Sequence, residues 1–205
     1  MARDLDGSLL PITVIAGWQR LIRVSLFASV WTLGYAAYRL YYGLGGTFGI
    51  LGTPVSWDEW RRINVVAGVL LLITAMVPLI SLRWWRQRYP RMILDGIAWV
   101  VAVGCISHAL IGIVQRVSSL AGHLAIAYPF WLSIDKRKAD LQALFFNEPW
   151  FLIEGAVWVI LVWVGGLGVS RHRAKWIATA IAAITLMTTV GLLSAFGLIG
   201  RWIAG

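Results

Sequence analysis

Glu154 stands in the stretch NEPWFLIEGAVWVILVWVGG (147–166), inside a run that is otherwise apolar and aromatic. Trp150, Glu154 and Trp158 are spaced four apart, with Phe151 adjacent, so a helix would set the carboxyl group in an aromatic stripe. A carboxyl group against indole rings and away from bulk water has its neutral form favoured, which makes it a proton donor. Aromatic faces stabilise cations. An acid in a water-poor, π-lined cavity therefore suits protonation of an alkene or epoxide on a prenyl chain, the cage shielding the resulting carbocation.

Other segments carry residues of the same kind. Trp31, Tyr35, Tyr38 and Tyr42 form a second stripe, with Arg39 beside Tyr38. Asn64 lies about two turns after Ser56, and Gly104, Ser107, His108, Gly112 and Gln115 share a helical face that ends near Arg116. Charges inside a bilayer cost about 2.5–3.5 kcal/mol each on insertion scales, so they normally face the bundle interior and find partners. Each group also has a structural reading. Glu154 with Arg39 or Arg116 could be an ion pair fixing helix register. Arg39 and Arg116 could snorkel to the interface. His108 could be a helix–helix hydrogen-bonding residue, and the tyrosine stripe interfacial packing.

Metal and cofactor chemistry find no foothold. His108, His123 and His172 fall in separate segments and form no ligand cluster, nor does a second histidine match His108 in depth for bis-His haem. The glycines of GLGG and GTFG fit no phosphate-loop pattern. Cys105 is the single cysteine, which excludes an internal disulfide. The expectation is a site with no metal and no cofactor.

The elements that must position these groups are membrane helices. The 205-residue chain is 60% hydrophobic and 13% charged, too apolar for a soluble domain of this size. Its 13 tryptophans suit the membrane–water interface. The net charge of +9 comes from basic residues flanking apolar runs, which indicates topology and anionic headgroups and no nucleic-acid partner. A span needs about 20 apolar residues. The expected spans are 24–44, 57–82, 92–116, 149–169 and 175–202, preceded by an interfacial helix over 9–23, all in one domain, 1–205. The fold class is thus an all-α integral membrane bundle of about five helices. No removable signal peptide is read at the N-terminus, which carries two aspartates in place of a basic region.

The short loops RWWRQRYPR (83–91) and SRHRAK (170–175) are dense in Arg and Lys, which places them in the cytoplasm, the N-terminus inside and the C-terminus outside. The connections 43–57 and 117–148 then face outward. The first reads as a tight re-entrant or surface loop. The second holds aromatic stretches that lie on the membrane or cap the bundle, around a charged knot, DKRKAD. Ser56 and Glu59 make a capping box for the second span. Asn147, Glu148 and Pro149 read as cap, dipole acid and first-turn proline of the fourth, and Asp95 as the dipole acid of the third. With the fourth helix starting there, Glu154 is about 8–10 Å into the span. Arg39, Asn64, Gln115, Arg116 and Glu154 then share the outer half of the bilayer, with His108 somewhat deeper.

The stretches YYGLGGTFGI (41–50) and NEPWFLIEG (147–155) resemble those of small actinobacterial multi-pass membrane proteins. In size, helix count and isolated membrane acids the chain is also similar to membrane-bound terpene cyclases of meroterpenoid and indole-sesquiterpenoid pathways. That likeness implies acidic residues on separate helices, and Asp58, beside Trp57 and Trp60, is the second acid on the side of Glu154. The sequence-based expectation is an enzyme performing proton-initiated cyclisation or isomerisation of a lipid-soluble, isoprenoid substrate in an outer-leaflet cavity. Glu154, Asp58 and His108 would be catalytic. Trp31, Tyr35, Tyr38, Tyr42, Asn64, Gln115, Trp150 and Trp158 would bind substrate, with Arg39 and Arg116 as charge partners. The partner is a membrane lipid or prenylated small molecule. The alternative is a non-catalytic subunit or assembly factor that uses GLLSAFGLIG (191–200) to pack on a helix partner or a second copy. A transporter would need a polar path to the cytoplasmic face, and the inner halves of these helices are too apolar for one.

Overall fold

The computed structural model describes residues 12–84, 87–165 and 173–199. Helix α1 spans Ile12–Gly43, β1 Gly52–Pro54, α2 Trp57–Trp84, α3 Arg88–Leu120, β2 Trp131–Ile134, α4 Lys136–Gln142, α5 Glu148–Gly165 and α6 Arg173–Ala195. A single π-helical turn, Ala143–Asn147, joins α4 to α5. Five helical stretches are long and apolar enough to cross a membrane: Ala16–Gly43, Trp57–Trp84, Arg91–Leu120, Lys136–Gly165 and Ala174–Ala195. The all-helical reading with five stretches of span length therefore holds, and its boundaries move.

No break separates an interfacial helix from the first span, because α1 is continuous from Ile12. Gln19, Arg20 and Arg23 ride on its exposed side, so the polar residues that suggested an interruption leave the helix intact. Residues 9–11 of the expected interfacial helix lie outside the described residues. The largest change concerns the fourth span, expected to begin at 149. It begins at Lys136, capped by Asp135, whose side chain accepts from the Lys138 backbone N–H at 3.1 Å. That contact and the nearby Lys138 ammonium hold the Asp135 carboxyl below its ordinary value. Asn147, Glu148 and Pro149 consequently sit inside a helix and cap nothing. A proline there removes one backbone donor and crowds the carbonyl four residues back. The π turn just before it, with Glu148 N–H reaching Ala143 O, adds a residue where the regular ladder would fail.

Two ends come earlier or later than expected for a common reason. Gly122 and Gly197 adopt φ +78° and +72°, the left-handed conformation that closes a helix. Leu198 N–H bonds Leu193 O and Gly197 N–H bonds Ser194 O, a Schellman stop that ends α6 at Ala195 where 202 was expected. His123 N–H to Ser118 O and Gly122 N–H to Ser119 O do the same for α3, which therefore extends to Leu120. The capping box of α2 forms in half, Glu59 N–H donating to Ser56 Oγ at 3.2 Å.

Contacts link the helices in the order α2, α1, α5, α3, α6. Small residues set the closeness, as expected where lipid provides no hydrophobic drive between helices. Ser25, Ala28, Ser29, Thr32 and Ala36 form the buried stripe of α1, and Ser29 Oγ donates across to Ala75 O of α2 at 2.8 Å. Gly43 lies against Val65, and Gly68 against Leu40. Leu21, Ala98, Ala102, Trp158, Leu161 and Val162 make the apolar core between α1, α3 and α5. Gly191, expected to meet a partner helix, packs on Ile111 of α3 within the molecule, and Gly197 serves the helix stop.

The α1–α2 and α3–α4 connections meet at one end of the bundle. β1 and β2 pair antiparallel, Gly52 with Ile134 and Thr53 with Ser133, and an irregularity leads to Pro54 with Trp131. A Cβ at Gly52 would strike Ser133 O, so only glycine permits this approach. The first connection, expected as a re-entrant or surface loop, and the second, expected to lie on the membrane or cap the bundle, are clasped together as one lid.

Candidate functional site

Beneath the lid is a chamber of about 150 Å³, walled by the ends of α1 and α3, the first turn of α2, the loop leading into β1, strand β2 and the α4–π segment. From α1 come Tyr35, Tyr38, Arg39 and Tyr42, placed there because i, i+3, i+4 and i+7 share a helix face. Trp60, Arg116, Tyr128, Trp131, Gln142 and Asn147 complete its functional lining. The tyrosine stripe and both arginines of the sequence reading thus share one cavity.

Two hydrogen-bonded systems hold this wall. In the first, Arg39 Nη1 donates to Asn64 Oδ1 at 3.2 Å and Nη2 to Tyr35 Oη at 3.3 Å. Asn64, fully buried, donates in turn to Trp60 O at 2.8 Å. In the second, Asp140 accepts from Arg116 Nη1 at 3.0 Å, Tyr128 Oη at 2.6 Å and Ser119 Oγ at 2.6 Å. Arg116 Nη1 also reaches Tyr128 Oη at 2.9 Å. Burial and the bond to Asp140 push the Tyr128 phenol above its ordinary value, keeping it a neutral donor. Arg116 therefore pairs with Asp140 of the DKRKAD knot and not with Glu154. Asp140 was passed over because it was read as part of an outer loop. The apolar run LQALFF directly after it is the signal that it belongs to a buried helix.

Aromatic rings continue from the chamber along α1. Trp131 and Trp60 lie 4.9 Å apart, then Tyr42 and Tyr38 at 5.0 Å, Tyr38 and Tyr35 at 5.5 Å, and Trp150 with Trp31 stacked at 4.2 Å. Trp31 Nε1 also lies 3.4 Å from Trp150 O. Trp31 and Trp150 belong to this column and do not line the chamber.

Glu154 is elsewhere. Its residue is 5% exposed, packed between α1 and α5, and Oε1 accepts from Thr32 Oγ1 at 2.5 Å and Trp158 Nε1 at 2.6 Å. Oε2 is buried with no hydrogen-bond partner. Trp158 is fully buried in the core, so its ring packs the bundle instead of forming a cage. Neither Arg39 nor Arg116 pairs with Glu154. The described part of α5 runs 11 residues beyond Glu154, about 16 Å at helical rise, and the helical stretch begins at Lys136, so the carboxyl lies farther from its start than a start at 149 implied. Asp58 is exposed in the first turn of α2, where it favours the helix dipole. Gln115 is half-buried on α3 and does not line the chamber.

Glu148 gains what Glu154 loses. It is 3% exposed and faces α3, where a Cβ at Gly112 would collide with its carboxyl. Oε2 lies 3.8 Å from His108 Nε2 and makes no hydrogen bond. The His108 side chain is 59% exposed and packs edge-on against Phe151 at 4.4 Å. Asp95 pairs with Arg91 at 3.7 Å near the opposite end of the bundle. Among the described residues no cluster of three His, Cys, Asp or Glu could hold a metal. Comparisons with protein-family models, curated proteins and solved structures find no match to this chain.

Proposed function

We propose that the protein takes up a lipid-soluble amphiphile from the membrane surface and holds it in the chamber beneath the lid. The observation that carries this reading is the chamber itself: aromatic rings and two guanidinium groups around about 150 Å³ of unfilled space. Ligand sites combine apolar and aromatic walls with a few placed polar groups, as here. Large apolar side chains stand exposed around the lid, Leu44, Phe48, Leu132 and Phe145 among them, each more than 70% accessible. Such a rim favours contact with acyl chains at the interface. An isoprenoid, the substrate expected from the sequence, belongs to this class of ligand.

Mass spectrometry of lipids retained by the purified protein tests the reading. Ala139→Phe, which fills the chamber, should abolish retention while the protein still elutes as folded material. Equal retention by both proteins refutes the chamber as the site.

Acid–base catalysis on that ligand is the second reading, favoured by one observation. Glu148 directly follows the lining residue Asn147, is buried, and carries an unpartnered carboxyl oxygen beside His108. Neither acid lines the chamber, but Glu154 is bound by Thr32 and Trp158 whereas Glu148 adjoins the wall through Asn147, so proton-initiated cyclisation or isomerisation of a prenylated substrate would run through Glu148. Glu148→Gln should then stop turnover and leave ligand retention intact; undiminished turnover eliminates this reading.

A further inference from the structure

The chamber's polar wall is not balanced, and the imbalance identifies one end of its ligand. Arg116 is neutralised by Asp140. Arg39 is held by Asn64 and the Tyr35 hydroxyl, both neutral, and none of the lining residues is acidic. The wall therefore carries one guanidinium charge without a matching carboxylate. Inside or at the edge of a bilayer such a charge calls for a counter-charge.

On lining residues, Arg39 Nε, Arg116 Nε and Trp60 Nε1 are buried donors without an acceptor, against one lone acceptor, Asn147 Oδ1. These four atoms are closed off from the chamber's space, so the donors left for a ligand are the remaining N–H bonds of the Arg39 Nη atoms. Arg39 is also pre-aimed. Asn64, tied to Trp60 O, fixes one arm of the guanidinium fork, and Tyr35 fixes the other. Such rigid forks suit phosphate recognition.

We infer that the ligand is a lipid phosphate whose headgroup enters the chamber and takes Arg39 as its cationic partner, its tail following the aromatic column formed by Tyr38, Tyr35 and Trp150. This rests on the amphiphile-binding reading above. The shared chemistry, a phosphate oxyanion, could come from a lipid headgroup or from free phosphate, and the test separates them.

Binding to the full-length protein in a neutral detergent would be measured by tryptophan fluorescence, since Trp60 and Trp131 line the chamber. The probes are farnesyl monophosphate, farnesol and inorganic phosphate. Farnesyl monophosphate should bind at least about tenfold tighter than farnesol, in keeping with a charge-assisted contact in a partly buried site. Arg39→Gln should erase that preference without changing farnesol affinity, and Arg39→Lys should retain part of it. Equal affinity for the alcohol and its phosphate overturns the oxyanion assignment and leaves the amphiphile reading standing. So does a loss in Arg39→Gln that affects both probes alike, because it marks a structural role. Inorganic phosphate binding as tightly as farnesyl monophosphate overturns the lipid part. No binding by any probe removes both the inference and the reading it rests on.

Discussion

Replacing Asp140 isolates the network that closes the chamber's far wall. Its carboxylate accepts three hydrogen bonds, from Arg116, Tyr128 and Ser119, and its side chain is 3% exposed, against 20% for Arg116. Removing one partner of a buried ion pair costs about 3–5 kcal/mol, largely through the charge left behind. The part-exposed guanidinium regains some solvation, which places Asp140→Ala near the lower end, about 3 kcal/mol. Asp140→Asn keeps an acceptor but loses the charge, and should cost about 1.5–2 kcal/mol, in the range of a hydrogen bond to an ionised group. The assay is reversible unfolding in mixed micelles titrated with dodecyl sulfate. A double-mutant cycle with Arg116→Gln should return a coupling of at least about 1 kcal/mol. A cost below about 0.5 kcal/mol for Asp140→Ala, or a coupling near zero, would refute a lid wall held by this pair.

Three further outcomes follow from the same geometry. Tyr128 is titrated in the folded protein above its unfolded value of 10.0, so its stabilising contribution is complete below about pH 10 and lost as pH rises through the higher folded value; alkaline melting of wild type and Tyr128→Phe should diverge in neutral buffer and converge only at high pH. Glu154→Gln keeps an amide oxygen where Thr32 and Trp158 donate, so ligand affinity should stay within about twofold, well under the tenfold that 1.4 kcal/mol represents, as measured by the fluorescence titration. Gly112→Ala drives a methyl group into the Glu148 carboxyl and should destabilise the protein by about 1–3 kcal/mol, read by the same unfolding titration; an unchanged midpoint would mean that α3 and α5 are less closely set than described.

What was legible in the sequence was governed by strong local signals. Apolar runs of span length identified five helices, and the i, i+3, i+4, i+7 pattern of Tyr35, Tyr38, Arg39 and Tyr42 named one chamber wall. Pairings between distant segments were not legible. Asp140 reaches Arg116 across 24 residues, and no local pattern distinguishes that acid from its neighbours in DKRKAD. The fourth span was misread because Asn-Glu-Pro is as good a helix start as it is a helix interior with a π turn, and only tertiary packing decides. That one boundary displaced Glu148 from the interior to a helix end, and with it moved the proposed acid to Glu154.

The π turn also makes the fourth long helical stretch, Lys136–Gly165, a two-phase element. One residue of an α-helix corresponds to roughly 100° of rotation. The single added residue in Ala143–Asn147 therefore sets the azimuth of everything from Glu148 to Gly165 relative to Lys136–Gln142. Deleting one residue of that turn would leave composition, length class and hydropathy nearly unchanged. It would still swing Glu148 off Gly112 and Glu154 off Thr32, or else drag Asp140 away from Arg116. The lid end and the core end of this helix can both be in register only while the turn stays underwound by its extra residue.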